Sequence, residues 1–138
     1  MKSQKAIINI DGACHGNPGP GAIGVVIRDE QKKVIASISK AIGRTTNNQA
    51  EYRAIIAALE KASLLGITEV EIRSDSELLV RQINGRYKVK NAGLIPLYLK
   101  AKQLQSRMTS FTIHHIPREE NQEADNLASR ALKRPYVP

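Results

Sequence analysis

Apolar runs separated by turn residues predict three strands at the start of the chain. Residues 6–10 form a short run rich in β-branched residues, which ends at Asp11 and precedes a Gly/Pro cluster at 16–21. Such runs are typical of buried strands, and helices do not propagate through such clusters. Residues 22–28 and 33–42 form two more runs joined by a short polar connection. Three strands with short connections predict an antiparallel meander.

The hydrophobic period changes beyond Thr46. Apolar residues recur at three- and four-residue spacing over 48–65, and Gly66 follows, which predicts a helix closed by a glycine. The same criteria predict strands at 69–73 and 110–115 and helices at 76–83, 94–106 and 121–132, with Asn121 as N-cap of the last helix. Residues 86–93 are irregular and basic. The order predicts an α/β fold, a mixed sheet with helices on both faces.

Length and composition narrow the class of protein. The chain has 138 residues with no dividing linker, so we expect a single domain over 1–138. One Phe, four Tyr and no Trp argue against a nucleic-acid reader built on rows of stacked rings. The net charge of +8 is compatible with a polyanionic partner such as a nucleic acid.

Cysteine content and hydropathy exclude several other classes. Cys14 is the only cysteine, which rules out an intramolecular disulfide and leaves a cysteine-based zinc site short of ligands. We interpret Cys14 and His15 as packing or loop residues. No apolar run approaches the ~18 residues of a membrane span, and the first run is too short for a secretory signal. We expect a soluble, cytoplasmic monomer with no membrane association and no obligate protein partner.

Four carboxylates stand at predicted element boundaries: Asp11, Glu51, Asp75 and Asp125. Each also has a purely structural interpretation. Asp75 could cap the following helix, and Glu51 and Asp125 could interact favourably with the helix dipole from the first turns of their helices. Asp11 could be a turn residue, although it ends a strand that should be central and dry.

The functional interpretation gathers the four carboxylates into one site. Clustered carboxylates repel one another, and divalent cations relieve that repulsion. Ligation by oxygen alone suits Mg²⁺ or Mn²⁺, and two such ions about 4 Å apart clamp a scissile phosphate. The spacing of the residues does not by itself show that they converge.

Four blocks resemble, in order, the motifs of type 1 ribonucleases H. They are DGAC at 11–14 with GNPGPG at 16–21, TTNNQAE at 45–51, SDS at 74–76 and NQEAD at 121–125. The resemblance extends over residues from about 6 to 132, almost the whole chain. Any one block is weak evidence, whereas four in the family's order are strong.

The resemblance implies a fold, an activity and a set of ligands. The fold would be a five-stranded mixed sheet, three antiparallel strands then two parallel, with helices on both faces. The activity would be an endoribonuclease that hydrolyses the RNA strand of RNA–DNA hybrids and leaves 5′-phosphate and 3′-hydroxyl ends. This activity would require two Mg²⁺ ions, for which Mn²⁺ would be a substitute. Asp11 would bridge both ions, Asp125 would hold the ion that activates water, and Glu51 and Asp75 the other.

The resemblance also assigns substrate contacts to Asn17, Thr46, Asn47 and Asn48. Short amides and hydroxyls are suited to phosphates, minor-groove base edges and 2′-hydroxyls. For Asn47 and Asn48, helix capping is the alternative interpretation, and both roles are compatible.

The chain departs from the family pattern at the auxiliary catalytic residue. Many members carry a histidine in the loop before the last aspartate, where this chain offers His115 or Arg118. We favour Arg118, since His115 ends the predicted fifth strand and some archaeal and bacterial members use an arginine. An arginine donates to phosphate but cannot serve as a base.

Two further departures concern substrate binding. Glu77 stands where several relatives have a neutral amide, so its carboxylate would weaken that contact or add an outer-sphere metal partner. The basic run at 86–91 stands where some relatives insert a helical protrusion, which predicts salt-sensitive hybrid affinity. We expect no separate N-terminal hybrid-binding domain, since the first strand begins near residue 5.

Two other functions fit the fold. A catalytically silent hybrid-binding module would not need all four carboxylates, so their presence disfavours it. An integrase-type strand-transfer domain is disfavoured by the TTNN block and the GNPGPG turn.

Overall fold

A computed structural model describes residues 4–133 of the chain. Five strands lie among these residues: β1 (Gln4–Cys14), β2 (Gly19–Arg28), β3 (Val34–Thr45), β4 (Ile67–Ser74) and β5 (Ser110–His115). Four helices accompany them: α1 (Asn47–Leu64), α2 (Glu77–Ile83), α3 (Ile95–Gln105) and α4 (Gln122–Leu132). A single 3-10 turn, Arg118–Glu120, precedes α4.

The strands form one sheet in the order β3-β2-β1-β4-β5. β1 pairs antiparallel with β2, and β2 antiparallel with β3. β4 lies parallel to β1 on its other side, and β5 lies parallel to β4. This arrangement confirms the predicted mixed sheet. β1 is therefore the central strand, and residues at its end are surrounded on both sides.

The two faces of the sheet pack against different helices. Ile8 and Ile10 belong to the main core, together with the buried apolar side of α1. Because successive residues of a strand face opposite sides, Asn9 and Asp11 point to the other face, where α4 lies. Asp11 therefore lies where the first strand meets α4.

The strands around the Gly/Pro cluster are longer than the sequence predicts. β1 continues past Asp11 to Cys14, and Cys14 pairs with Gly21. β2 already begins at Gly19, which pairs with Thr45 at the end of β3. The prediction that Asp11 ends its strand is wrong, since Asp11 pairs with Gly24 inside the ladder. Backbone pairing does not require apolar side chains, so the hydrophobic pattern misses these residues.

Helix starts follow their capping residues. Thr46 caps α1 in a capping box with Gln49, and Ser76, not Asp75, caps α2. Asn121 occupies the predicted N-cap position of α4, but its side chain makes no capping hydrogen bond. Asp75 therefore does not have the helix-capping role that its place in the sequence allowed.

Across residues 4–133, no helix has both the length and the apolar character that crossing a membrane requires.

Candidate active site

The four sequence-predicted carboxylates converge around Asp11 in the C-terminal half of β1. Oxygen atoms of Asp11, Glu51 and Asp75 all lie within 4.8 Å of one another. Asp125 lines the same open cavity of about 500 Å³ and is close enough to Asp11 for their carboxyl groups to share a hydrogen bond. Asp11 and Glu51 are buried, at 6% and 8% exposure. The structure thus brings together residues that are 114 positions apart at the extremes, Asp11 and Asp125.

A glycine lets the helix that carries Glu51 approach the central strand. A Cβ on Gly12 would lie 2.3 Å from the carbonyl carbon of Ala50 and 2.4 Å from the nitrogen of Glu51. No side chain fits in that gap. The backbone N–H of Gly12 donates a hydrogen bond to Oε1 of Glu51. The contact holds the Glu51 carboxylate beside Asp11.

A second glycine, Gly24, lets α4 approach the sheet closely. A Cβ on Gly24 would lie 2.0 Å from the carbonyl oxygen of Ala124 and 2.8 Å from the nitrogen of Ala128. Gly24 is the ladder partner of Asp11, and Ala124 directly precedes Asp125. This close approach of helix and strand therefore places Asp125 against Asp11.

Replacing Gly24 with Ala is expected to destabilise the protein by about 3 kcal/mol, because α4 must move away from the sheet to admit the methyl group. Urea denaturation followed by circular dichroism measures the loss. Gly85→Ala is the matched control, since its Cβ would meet nothing within 4 Å and only the φ of 78° is unfavourable. We expect about 1 kcal/mol there. Equal losses in the two variants would contradict the close-packing account.

The site carries more negative charge than its surroundings can stabilise. Burial, then the charges of Asp75 and Asp125, raise the pKa of Asp11 from 3.8 to about 8. Burial and the charge of Asp11 raise the pKa of Glu51 well above its usual 4.5. The nearby Arg118 opposes the shift at Asp11 but does not cancel it. Four carboxylates in this arrangement need additional positive charge in order to ionise together.

This donor set fits divalent cations. The converging groups are carboxylate oxygens, two of the three closest residues are buried, and the cavity is open to solvent and substrate. Hard cations such as Mg²⁺ and Mn²⁺ favour oxygen ligands of this kind. The acidic cluster is therefore compatible with the use of divalent metal.

The two candidates for the auxiliary residue lie in different places. Arg118 lies in the 3-10 turn before α4 and lines the cavity. His115 is the last residue of β5, is exposed, and is not among the residues that line the cavity. The geometry favours Arg118, whose catalytic role stays a prediction.

The predicted substrate contacts surround one rim of the cavity. Asn47 and Asn48 are exposed in the first turn of α1 and line the cavity. Oδ1 of Asn17 accepts a hydrogen bond of 3.0 Å from the backbone N–H of Asn47, which ties the Gly/Pro loop to this rim. The Thr46 hydroxyl caps α1 by accepting a hydrogen bond from the backbone N–H of Gln49. Asn17, Asn47 and Asn48 therefore lie together at this rim, and their contacts with substrate stay a prediction.

Cys14 and Glu77 have partners that explain them structurally. The Cys14 thiol lies within hydrogen-bonding distance of backbone carbonyls, including that of Thr45 at 3.1 Å, which fits the packing interpretation. Glu77 forms a 2.6 Å ion pair with Arg81 on the same helix. The Glu77 carboxylate is therefore engaged outside the cavity lining.

Sequence reasoning missed three residues that shape this site: Gly12, Gly24 and Asn121. A glycine inside a strand pattern is a known sign of close backbone approach, so Gly24 carried a usable signal. Asn121 was assigned a capping role, and its side chain points instead to β1, where it donates to the carbonyl of Ile10.

The chain is similar in sequence to known proteins over most of its length. A family model described as reverse transcriptase-like matches residues 9–131. The bifunctional protein Rv2228c of Mycobacterium tuberculosis is 43% identical over 129 residues, which cover 93% of this chain and 35% of that protein. The chain spans about a third of the length of that relative. Ribonuclease HI of Halobacterium salinarum is 42% identical over 122 residues, covering 88% of this chain and 61% of that protein.

Two solved structures match this chain over nearly their full length. The crystal structure of RNase H1 from Halobacterium salinarum superposes with a TM-score of 0.91 at 40% identity, covering 93% of this chain and 97% of that one. LC11-RNase H1, isolated from compost, was crystallised in complex with an RNA/DNA hybrid. It gives a TM-score of 0.88 at 45% identity and covers 92% and 96%.

Proposed function

The chain belongs to the type 1 ribonuclease H family, and on that premise we propose that it is an endoribonuclease that hydrolyses the RNA strand of RNA–DNA hybrids. The observation that carries the proposal is the convergence of Asp11, Glu51, Asp75 and Asp125 on one open cavity. A module that only binds hybrids gains nothing from burying mutually repelling carboxylates. The hybrid bound to the similar LC11-RNase H1 supports the same class of substrate.

The carboxylates would hold two Mg²⁺ ions, with Mn²⁺ as a substitute. When bound, such ions activate water for attack on the phosphate and stabilise the leaving oxygen. Asp11, at the centre, would contact both ions, while Asp125 and the pair Glu51 and Asp75 would each serve one. The products would carry 5′-phosphate and 3′-hydroxyl ends.

The chain's own residues orient the substrate over this cluster. Asn47 and Asn48 project from the first turn of α1, where amides can donate to phosphate oxygens and 2′-hydroxyls. Asn17 stabilises that turn by accepting the N–H of Asn47. Arg118 would place its guanidinium beside the scissile phosphate, where it can donate two hydrogen bonds. Contact with the 2′-hydroxyl would distinguish the RNA strand.

All four carboxylates come from one chain, so a second copy is not needed to complete the site. We therefore propose that the protein acts as a monomer; the expectation of a cytoplasmic location stays a prediction. Size-exclusion chromatography with light scattering tests the monomeric state, and a dimer at the concentration of the activity assay would contradict it.

The test of the proposed activity uses an end-labelled RNA–DNA hybrid with Mg²⁺ or Mn²⁺. We expect internal cuts in the RNA strand, which stop when EDTA is added. The same RNA as a single strand and the matching DNA duplex are the controls, and both should stay intact. Metal-independent cutting, or no cutting of the hybrid with either ion, would refute the proposal.

Substitution distinguishes the two auxiliary candidates. Arg118→Ala should lower kcat roughly 100-fold, because a cationic donor that lines the cavity is lost. His115→Ala should stay within about twofold of the wild type, because this side chain lies outside the cavity lining. Steady-state cleavage of the hybrid measures both. A larger loss at His115 than at Arg118 would reverse the assignment.

A further inference from the structure

Asn121 is among the most deeply buried polar residues of the described chain, with 1% exposure. It stands at the N-cap position of α4, where asparagine normally accepts a hydrogen bond from the helix's own first turn. Its side chain makes no such bond. The Asn121 side chain therefore does not cap α4, and its hydrogen bonds are made with other parts of the chain.

The side-chain amide is bound to the central strand instead. Nδ2 of Asn121 donates a 2.8 Å hydrogen bond to the backbone carbonyl of Ile10, and Oδ1 accepts one of 3.0 Å from Nδ2 of Asn9. Asn9 and Asp11 point to the same face of β1, and Ile10 directly precedes Asp11. The Asn121 amide therefore binds β1 at the residue immediately before Asp11, the central carboxylate of the site.

The backbone of the same residue connects two further members of the site. The N–H of Asn121 donates to the carbonyl of Arg118 at 2.9 Å, which closes the 3-10 turn. Its carbonyl accepts the N–H of Asp125 at 3.1 Å, which forms the first turn of α4. Arg118 and Asp125 both line the cavity. One buried residue therefore links Arg118, Asp125 and the strand that carries Asp11.

We propose that Asn121 is a positioning residue that fixes Arg118 and Asp125 relative to Asp11. The inference rests on the proposed function, since it assigns Asn121 to the reaction of that site. Without its amide, the loop before α4 has no side-chain bond from this position to β1. Outer partners that orient the residues of a metal site commonly affect activity 10- to 100-fold. Misplacement by about 1 Å is sufficient for a loss of that size.

The test compares Asn121→Ala, Asn121→Asp and Asn9→Ala with the wild type. Asn121→Asp keeps the acceptor for Asn9, replaces the donor to Ile10 with an oxygen and adds a carboxyl group beside the acidic site, whereas Asn121→Ala removes both side-chain bonds without adding charge. We expect kcat to fall about 10- to 100-fold in both Asn121 variants. The KM for the hybrid should stay within about threefold, since Asn17, Asn47 and Asn48 are not disturbed. Asn9→Ala removes one of the two side-chain bonds and should cost less than either.

Asn126→Ala is the matched control, because Asn126 is an exposed asparagine on the same helix, adjacent to Asp125. It should retain wild-type kcat. All rates are measured well below each variant's melting temperature, so that a loss of stability alone does not lower them. Crystal structures of Asn121→Ala and the wild type supply a readout independent of activity, the distance from the Asp125 carboxylate to that of Asp11.

The outcomes separate the two proposals. A folded Asn121→Ala variant with wild-type kcat, or with Asp125 and Arg118 unmoved, overturns the positioning role. A loss in KM at constant kcat also overturns it, since that pattern indicates lost substrate binding. If the wild type does not cut hybrids, the proposed function fails, and the displacement of Arg118 and Asp125 in the crystal structures still decides the positioning role.

Discussion

Replacing Asp11 with Asn is expected to abolish metal-dependent cutting of an RNA–DNA hybrid, lowering kcat at least about 1,000-fold. Asp11 is 6% exposed, and Glu51, Asp75 and Asp125 all face it. The amide has nearly the size of the carboxylate, so the fold is preserved while the shared negative ligand is lost. A neutral amide oxygen is a weaker ligand for a hard divalent cation than a carboxylate.

The control for this experiment is Glu60→Gln, which removes an exposed carboxylate from α1, the helix that carries Glu51. Glu60 lies outside the cavity lining and pairs loosely with Lys100 at 3.8 Å. Its kcat should match the wild type within about twofold, since such exposed pairs contribute little. Cutting by Asp11→Asn at a rate near that of Glu60→Gln would refute the metal-binding role of Asp11.

Elements with a strong period were predictable from the sequence. The predicted strand at 110–115 coincides with β5, and the predicted helix at 48–65 differs from α1 by one residue at each end. In α1 a regular burial pattern acts together with clear boundary residues, Thr46 at its start and Gly66 after its end. In β5 the signal is a short alternation, in which Phe111 and Ile113 are less exposed than their neighbours. The Gly/Pro region was not predictable in the same way, because residues 11–14 and 19–21 extend strands through backbone pairing that leaves no apolar signature.

The identity of the site residues was predictable, but their convergence was not. The family motifs pointed to Asp11, Glu51, Asp75 and Asp125 without placing them in space. Convergence depends on the strand order, since the parallel register pairs Ile10 with Ser74 and so places Asp75 next to Asp11. Register depends on contacts between distant segments, and a single sequence does not display it. The close approaches at Gly12 and Gly24 depend on tertiary packing in the same way.

The metal-free protein is expected to become less stable as the pH rises from about 4 to 8. The folded state holds a proton on Asp11 up to a pKa of about 8, while the unfolded chain releases it near 3.8. Between these values the folded state binds more protons, so raising the pH favours unfolding, and above about 8 the effect ends. The raised pKa of Glu51 acts in the same direction.

The magnitude follows from linkage. One extra proton in the folded state changes the stability by about 1.4 kcal/mol per pH unit, which corresponds to roughly 4 °C in Tm for a domain of this size. Other groups also titrate in this window, so the informative quantity is the Tm of Asp11→Asn minus that of the wild type. In EDTA this difference should grow steadily between pH 5 and 8, because only the wild type has a carboxyl group to deprotonate at this position.

Divalent metal should reverse the order of the two proteins. At pH 8 a saturating concentration of Mg²⁺ stabilises the folded state that binds it, and the wild type, with its full set of carboxylates, should gain more than Asp11→Asn. Differential scanning fluorimetry with and without EDTA measures both effects. A Tm difference that stays constant with pH in EDTA would show that Asp11 titrates normally in the folded protein. An equal gain from Mg²⁺ in both proteins would show that Asp11 does not contribute to Mg²⁺ binding, because an ion held by the Asp11 carboxylate stabilises the wild type more than the amide variant.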